Sequence, residues 1–459
     1  MPKTVSKYNT TALISLYVFF FECTVGGAGR MINIGPVSLR MILFAIALVM
    51  TFPEVIRKFG SLCRIGYFHA LGLFFATLAV TAVYGLIRGN SRAFIAADLS
   101  PFLTLLLLPG AVAILDTRER REFAAGIVMW GSLAVALATC TIHAISPFVP
   151  DTFMENLSRF IADTESGGLA AYSYGASLYR IFLKSQMFMT LGALLFLRKS
   201  LDSDKKTSAA LYIAASAVEI YATILSFTRG FWLGLAAAFM LFLIFRIREK
   251  TRKLVSVIAL LSAFVILFFG ISALLYRSNV TFDAVINRIG LTVGAAPSEE
   301  HADFSDMEHS SGIGDEIRDK TLDSLYGHLK TKFFTGYGLG ANLDGIRTEG
   351  KTEYTYLDML MKLGVPGFIV FIWVTTWHAV RTGEDSLRRL FRRKKSGEQA
   401  PAPTGDLAPA LACGYVGMLI SSIWNPFLLS PMGMLMLILL AVATIGEKVG
   451  KKSNTPKEE

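Results

Sequence analysis

An all-α polytopic membrane protein is the fold this sequence predicts, on three observations. Of its 459 residues 53% are hydrophobic and only 17% charged, whereas a soluble chain of this size carries about a quarter charged residues. The apolar residues gather in runs of about twenty, the length that crosses roughly 30 Å of hydrocarbon. Basic residues cluster in the gaps between alternate runs, as they do in cytoplasmic loops.

About twelve transmembrane helices follow, near 10–26, 36–52, 68–87, 93–115, 123–147, 181–198, 208–226, 230–247, 254–275, 364–380, 408–425 and 430–446. The first lacks a convincing cleavage site before the second and is expected to be retained. Lys3 and Lys7 place the N-terminus in the cytoplasm. The cytoplasmic segments then hold Arg57 and Lys58, Arg118 to Arg121, Arg198 and Lys199, Arg246 to Lys253, the run from Arg388 to Lys395, and the Lys448–Lys457 tail. Both termini are thereby cytoplasmic. Arg30, Arg88 and Arg92 fall on the other side, against the trend.

The formal charge of +10 is a topology signal. Spread over many short loops, it makes no basic stripe, so no nucleic-acid partner is expected. Cys23, Cys63, Cys140 and Cys413 form no CxxC pair, which gives neither a disulfide framework nor a zinc site. His301 and His309 lie among acids, where solvated loop histidines are a plainer reading than a weak cation site. No metal or cofactor is expected.

Spans one to nine occupy 1–275, with a short insertion at 146–179. A long polar loop fills 276–363. Spans ten to twelve occupy 364–446, with a flexible cytoplasmic linker at 382–407, and a polar tail runs over 447–459. The charge pattern puts the insertion and the long loop outside the cytoplasm. No internal repeat is visible, although many transporters are built from repeated halves. A twelve-span transporter or flippase is the rival from a different class.

The insertion has Pro147 and Pro150, a short amphipathic piece around Met154–Ile161, then Gly167, Gly168 and Gly175, and it ends at Tyr179-Arg180. In the long loop Gly294–Gly314 is polar and irregular, the character of a mobile lid. Residues 315–334 predict an amphipathic helix. Leu322, Leu325, Tyr326, Leu329 and Phe333 share one face, Arg318 projects from it at the start, and Asp315, Glu316 and Asp319 suit a helix N-terminus. The helix runs into Thr335-Gly336-Tyr337-Gly338-Leu339-Gly340-Ala341. Such a turn lets backbone N–H groups approach an anion closely, or is simply a tight turn.

Three arginines need explaining. Arg229, in Ser226-Phe227-Thr228-Arg229-Gly230, fills a very short turn between the seventh and eighth spans. Arg180 heads the sixth span at the same level, and Arg318 interrupts an apolar stripe. A guanidinium carries a permanent charge in a planar fork suited to bidentate phosphate binding. Gathered in one pocket, the three suit a lipid-linked diphosphate; apart, each merely reaches for headgroups. Glu353, flanked by Tyr354 and Tyr356 near the membrane surface, is placed to act as a general base, or to favour a helix start through the dipole. Asp358 and Lys362, four apart, are expected to pair for structure. Glu22, Asp98 and Glu219 lie within or at the ends of spans, where an ionisable group usually faces a partner or a cavity.

These residues resemble the bacterial O-antigen ligase and O-antigen polymerase superfamily of membrane glycosyltransferases. Ser226–Leu233, SFTRGFWL, is similar to its Ser-x-Ser-Arg-Gly segment, with Thr228 where serine is usual. Arg318 to Gly340 resembles its arginine-bearing helix leading into a Gly-x-Gly turn. Glu353–Gly367, EYTYLDMLMKLGVPG, resembles the segment closing the large periplasmic loop, typically His-Asn-x-Tyr-Leu followed by Gly-x-x-Gly. The resemblance implies the all-helical fold of lipid-linked-sugar transferases, without a nucleotide-sugar domain or an obligatory metal. It implies an undecaprenyl-diphosphate-linked glycan as donor, a glycan or lipid-linked acceptor, and chemistry at the periplasmic face of the inner membrane. Arg229 and Arg318 would hold the diphosphate, helped by Arg180 and the Gly336, Gly338 and Gly340 turn. Tyr337, Tyr354 and Tyr356 would stack on sugars or simply pack. Glu353 stands where the family has histidine. Ligases that attach glycan to lipid A–core normally keep that histidine, so the departure favours a polymerase over a ligase.

Overall fold

Apolar helices account for all but part of one of the runs read from the sequence. The computed structural model describes residues 7–35, 37–173, 177–246, 251–293, 305–343, 352–391 and 407–453. The first half carries α1 (Lys7–Val25), α2 (Leu39–Arg57), α3 (Phe59–Cys63), α4 (Gly66–Ile87), α5 (Arg92–Leu103), α6 (Leu108–Ile114), α7 (Arg118–Ile145), α8 (Asp151–Asp163) and α9 (Met189–Asp202). The second carries α10 (Lys206–Leu225), α11 (Arg229–Arg246), α12 (Thr251–Tyr276), α13 (Val280–Val293), α14 (Ser305–Lys332), α15 (Thr355–Phe391), α16 (Leu407–Ser421) and α17 (Pro431–Ser453). Two small antiparallel hairpins, β1 (Asn33–Ile34) with β2 (Val37–Ser38) and β3 (Gly167–Ser173) with β4 (Leu178–Leu183), are the sheet among the described residues.

Eight helical stretches among the described residues are long and apolar enough to cross a membrane, and three shorter ones, Asn9–Val25, Leu407–Ser421 and Pro431–Gly446, are apolar too. The protein is an all-α polytopic membrane protein. Up-and-down connection gives the bundle two ends. The α8 helix, the β3–β4 hairpin, α13 and α14 gather at one, the loop end. At the opposite, basic end Lys58 bonds Asp116 at 2.8 Å and Arg198 pairs with Glu122.

The sixth predicted span, 181–198, is corrected. Its first residues form β4, and the helix proper, α9, is only 14 residues long, about 21 Å at 1.5 Å per residue. A helix that short spans poorly alone. Here Met189 to Leu197 are buried throughout, because α7, α10 and α16 enclose it. The insertion's Met154–Ile161 piece lies in α8, with Met154 and Ile161 buried. The β3–β4 hairpin after it was not anticipated.

In the long loop the irregular stretch splits. Residues 294–304 lie outside the described residues, and 305–314 are helical, the first part of α14. The predicted apolar face is corrected as well: Leu325 and Leu329 face inward with Thr321, while Tyr326 and Phe333 are exposed. The linker begins later than predicted. The α15 helix continues to Phe391, with Arg388 and Glu384 paired one turn apart on its solvated extension; residues 392–406 lie outside the described residues. The α17 helix likewise runs on to Ser453.

Partners for the three isolated acids are now visible. Glu22 takes Arg40 at 2.6 Å, Glu219 accepts from the Ser132 hydroxyl at 2.6 Å, and Asp98 accepts from Lys362 at 2.9 Å.

Candidate active site

The turn between α10 and α11 is built by its own hydroxyls. Ser226 Oγ donates to Thr223 O at 2.7 Å and accepts from Thr228 N, while Thr228 Oγ1 donates to Ser226 O at 3.1 Å. Phe227 between them takes φ +48°, a left-handed conformation that costs a non-glycine residue about 1–3 kcal/mol. Burial offsets that strain. The Phe227 ring is fully enclosed, 4.8 Å from Tyr172 of β3 and 6.3 Å from Trp232, with Leu178, Val280 and Ala284 around it. The next two residues are Arg229, half-buried at the first turn of α11, and Gly230.

Arg180 reaches the same turn from β4. Its Nε donates to Ser226 O at 3.2 Å and its NH2 group to Thr228 Oγ1 at 3.3 Å. The hairpin register pairs Arg180 with Ala170 of β3, and β3 in turn packs on α14. Arg180 thus reaches the turn that leads into Arg229, and its two hydrogen bonds hold that turn's shape.

Arg318 and Glu353 meet each other. Arg318 Nε donates to Glu353 Oε2 at 2.7 Å, with the side chains 29% and 26% exposed. Contacts continue from Glu353 to the arginine turn. Thr355 N donates to Glu353 O, and its hydroxyl donates to Asn425 O at 3.0 Å. A Cβ on Gly230 would lie 2.8 Å from Asn425 Nδ2, so Asn425 sits directly on the residue after Arg229. The α11 and α16 helices approach that closely because Gly230, Gly234 and Gly417 leave room, as small residues do between membrane helices.

The glycine turn performs a different task from the one its pattern suggests. Gly336, Gly338 and Gly340 all have positive φ, at +69°, +79° and +76°. Every N–H from Gly336 to Gly340 donates inside the protein: to Lys332 O, Met361 O, Lys362 O, Thr81 O and Asp98 Oδ2 in that order. The backbone of this turn wedges between α4 and α15, and those five groups are committed to protein acceptors. A Cβ on Gly338 would lie 2.6 Å from Gly85 N, and one on Gly364 would lie 2.2 Å from Phe334 O. Gly364, at φ +63°, also breaks α15 just before Pro366, so the turn docks where α15 bends.

Under the wedge lies a fully buried charge cluster. Lys362 Nζ is 2.9 Å from Asp98 Oδ1 and 2.9 Å from Asp358 Oδ2. The expected Asp358–Lys362 pair is present, and Asp98 of α5 completes it. Charges this deep must be mutually paired to persist, so the cluster ties α5, α15 and the turn into one unit beneath Glu353.

Of the three tyrosines, Tyr356 donates its hydroxyl to Leu419 O at 2.8 Å, and Tyr337 bonds Thr331 through its own. Tyr354 is half-buried against Leu325, Leu329 and Met361. Glu316 and Lys320, one turn apart on either side of Arg318, form an exposed pair in which the lysine holds the Glu316 carboxyl below the usual carboxylate range.

Asn425, Thr355 and the Ser226 and Thr228 acceptors were missed from sequence. Asn425-Pro426 between two apolar runs is a turn signal, and Tyr179, Ile181 and Phe182 give Leu178–Leu183 the aromatic and β-branched content of a strand. Residues 214–372 match the family described as O-Antigen ligase. The match starts in α10 and ends in α15, and so includes Arg229, Arg318 and Glu353 and leaves out Arg180. No curated protein and no solved structure matches. The chain thus carries, within a polytopic helical bundle, a segment similar to the O-antigen ligase family.

Proposed function

We propose that the protein transfers a glycan from undecaprenyl diphosphate to an acceptor sugar hydroxyl at the periplasmic face of the bacterial inner membrane, extending surface polysaccharide repeats. The observation carrying this reading is that Arg180 bonds the strained turn immediately before Arg229, a turn joined through Asn425 and Thr355 to the Arg318–Glu353 pair. Periplasmic placement rests on the basic residues at the opposite end, with both termini cytoplasmic.

In the proposed reaction Arg229 and Arg318 grip the diphosphate. Arg318 turns part of its hydrogen bonding from Glu353 to phosphate oxygens, which leaves the Glu353 carboxylate to accept the acceptor's hydroxyl proton. The freed oxygen attacks the anomeric carbon, the bond from that carbon to the phosphate oxygen breaks, and undecaprenyl diphosphate departs with inversion at the sugar. Guanidinium charge stabilises the negative charge growing on the leaving group, and the mechanism calls for no metal. Arg180 acts by holding the turn. Gly336, Gly338 and Gly340 support the fold, as do Tyr337 and Tyr356, which leaves Tyr354 beside Glu353 as the tyrosine proposed to meet a sugar.

Arg229→Ala and Arg318→Ala are expected to abolish long-chain polysaccharide while the protein stays in the membrane; normal chain-length ladders from both would remove the mechanism. The family description favours a second reading, in which the acceptor is lipid A–core. Deletion phenotypes separate the two: loss of a polymerase leaves one repeat on the core, and loss of a ligase leaves none.

A further inference from the structure

A second cationic centre lies at the loop end, built from residues outside the proposed reaction. Arg88 follows α4, and Lys332 ends α14. Both hold their charge over one ring, that of Tyr337, with the guanidinium carbon 5.0 Å and the ammonium nitrogen 5.4 Å from its centroid. The ring is a fixed spacer. Its backbone N–H donates to Met361 O, its carbonyl accepts from Asn90, its hydroxyl bonds Thr331, and His328 meets it edge-on at 5.1 Å. Among the described residues neither Arg88 nor Lys332 has a carboxylate at ion-pair distance. The attraction of a partly exposed ring for a cation is small and leaves both charges uncompensated by any carboxylate among the described residues. A shared anion resolves that arrangement.

The surroundings say which kind of anion. Leu73, Val80, Val83 and Ile87 of α4 are 51%, 68%, 55% and 78% exposed, at a spacing that lines them along one face of a membrane-crossing helix. That lipid-facing stripe ends at Arg88. Phe333 and Phe334, also exposed, follow Lys332 directly. The two cations therefore stand where hydrocarbon gives way to headgroups, the level at which long basic side chains meet lipid phosphate.

We propose that Arg88 and Lys332, held apart by Tyr337, bind the phosphodiester of an anionic phospholipid whose acyl chains lie along the Leu73–Ile87 stripe. The bound headgroup joins the end of α4 to the end of α14. It braces the helix that carries Arg318 without touching the reacting groups.

The test uses the full-length protein in neutral detergent, titrated with phosphatidylglycerol or phosphatidylcholine, with bound lipid counted by native mass spectrometry. Phosphatidylglycerol is expected to bind the wild type more tightly than phosphatidylcholine. Arg88→Gln or Lys332→Gln should each weaken it about fivefold, the contribution of one basic residue near an anionic surface. Arg88→Lys should keep most of the affinity. Both side chains reach solvent, so the neutral variants should fold, which their wild-type elution and melting would verify. Unchanged phosphatidylglycerol affinity in the Arg88→Gln/Lys332→Gln double variant would overturn the site. Equal competition by inorganic phosphate would overturn the lipid as its ligand.

Discussion

Arg318 Nε and Glu353 Oε2 lie 2.7 Å apart, so a cation read as a diphosphate grip and a carboxylate read as a base share one hydrogen bond before substrate arrives. Partly exposed pairs contribute about 0–1 kcal/mol to stability. The effect of breaking this one should therefore appear in turnover and hardly in melting. Glu353→Gln keeps an oxygen acceptor for Arg318 and removes the basic carboxylate. Its transfer rate is expected to fall about 10²–10⁴-fold, the range for a lost general base, with near wild-type melting. Rates measured on reconstituted protein decide it; a wild-type rate would leave Glu353 as a positioning residue for Arg318.

Arg180 holds the Arg229 turn through Ser226 O and Thr228 Oγ1. Two such bonds are worth about 1–3 kcal/mol together, so Arg180→Ala should lower kcat/KM roughly tenfold or more. Arg180→Lys should recover little, since an ammonium cannot span two acceptors as a planar fork does. Steady-state kinetics of the two variants check this, and full rescue by lysine would show that charge alone matters.

The buried cluster gives a prediction about stability. Lys362→Met leaves the Asp98 and Asp358 carboxylates facing each other without their cation, and breaking a buried pair in this way costs about 3–5 kcal/mol. Thermal unfolding in detergent should show a large loss. Adding Asp98→Asn and Asp358→Asn to Lys362→Met should return much of it.

Gly338 and Gly327 make a matched test of the wedge. Gly338 sits at φ +79° with the Gly85 backbone 2.6 Å from where a Cβ would go, and a side chain in that left-handed region costs about 1–2 kcal/mol before any overlap. Gly327, in α14, would meet nothing within 4 Å. Gly338→Ala should destabilise strongly, whereas Gly327→Ala should stabilise by about 1 kcal/mol. Equal melting temperatures would contradict the packing described for the turn.

Local periodicity carried the legible part of this molecule. Apolar runs gave the spans, and a four-residue spacing gave Asp358–Lys362. Non-local pairing was invisible: Asp98 reaches Lys362 across 264 positions, and nothing in the sequence near either announces the other. Glycine spacing predicted a tight turn at 336–340 but not the destination of its N–H groups, which depends on Thr81, Met361 and Asp98 arriving from other helices. The α9 run looked like a full span because its apolar residues continue into β4, and burial inside the bundle imposes the same composition as lipid. Arg229 and Arg318 stood out in the sequence because each breaks a local pattern. The Arg318–Glu353 bond was not, since the two residues lie on different elements.

Binding of undecaprenyl diphosphate to the reconstituted protein, compared between wild type, Arg229→Ala and Arg318→Ala, tests the central claim most directly. Each lost guanidinium should weaken binding by at least about tenfold, as charge-assisted hydrogen bonds worth roughly 1.5–3 kcal/mol are removed. Affinity unchanged in both variants would contradict the account.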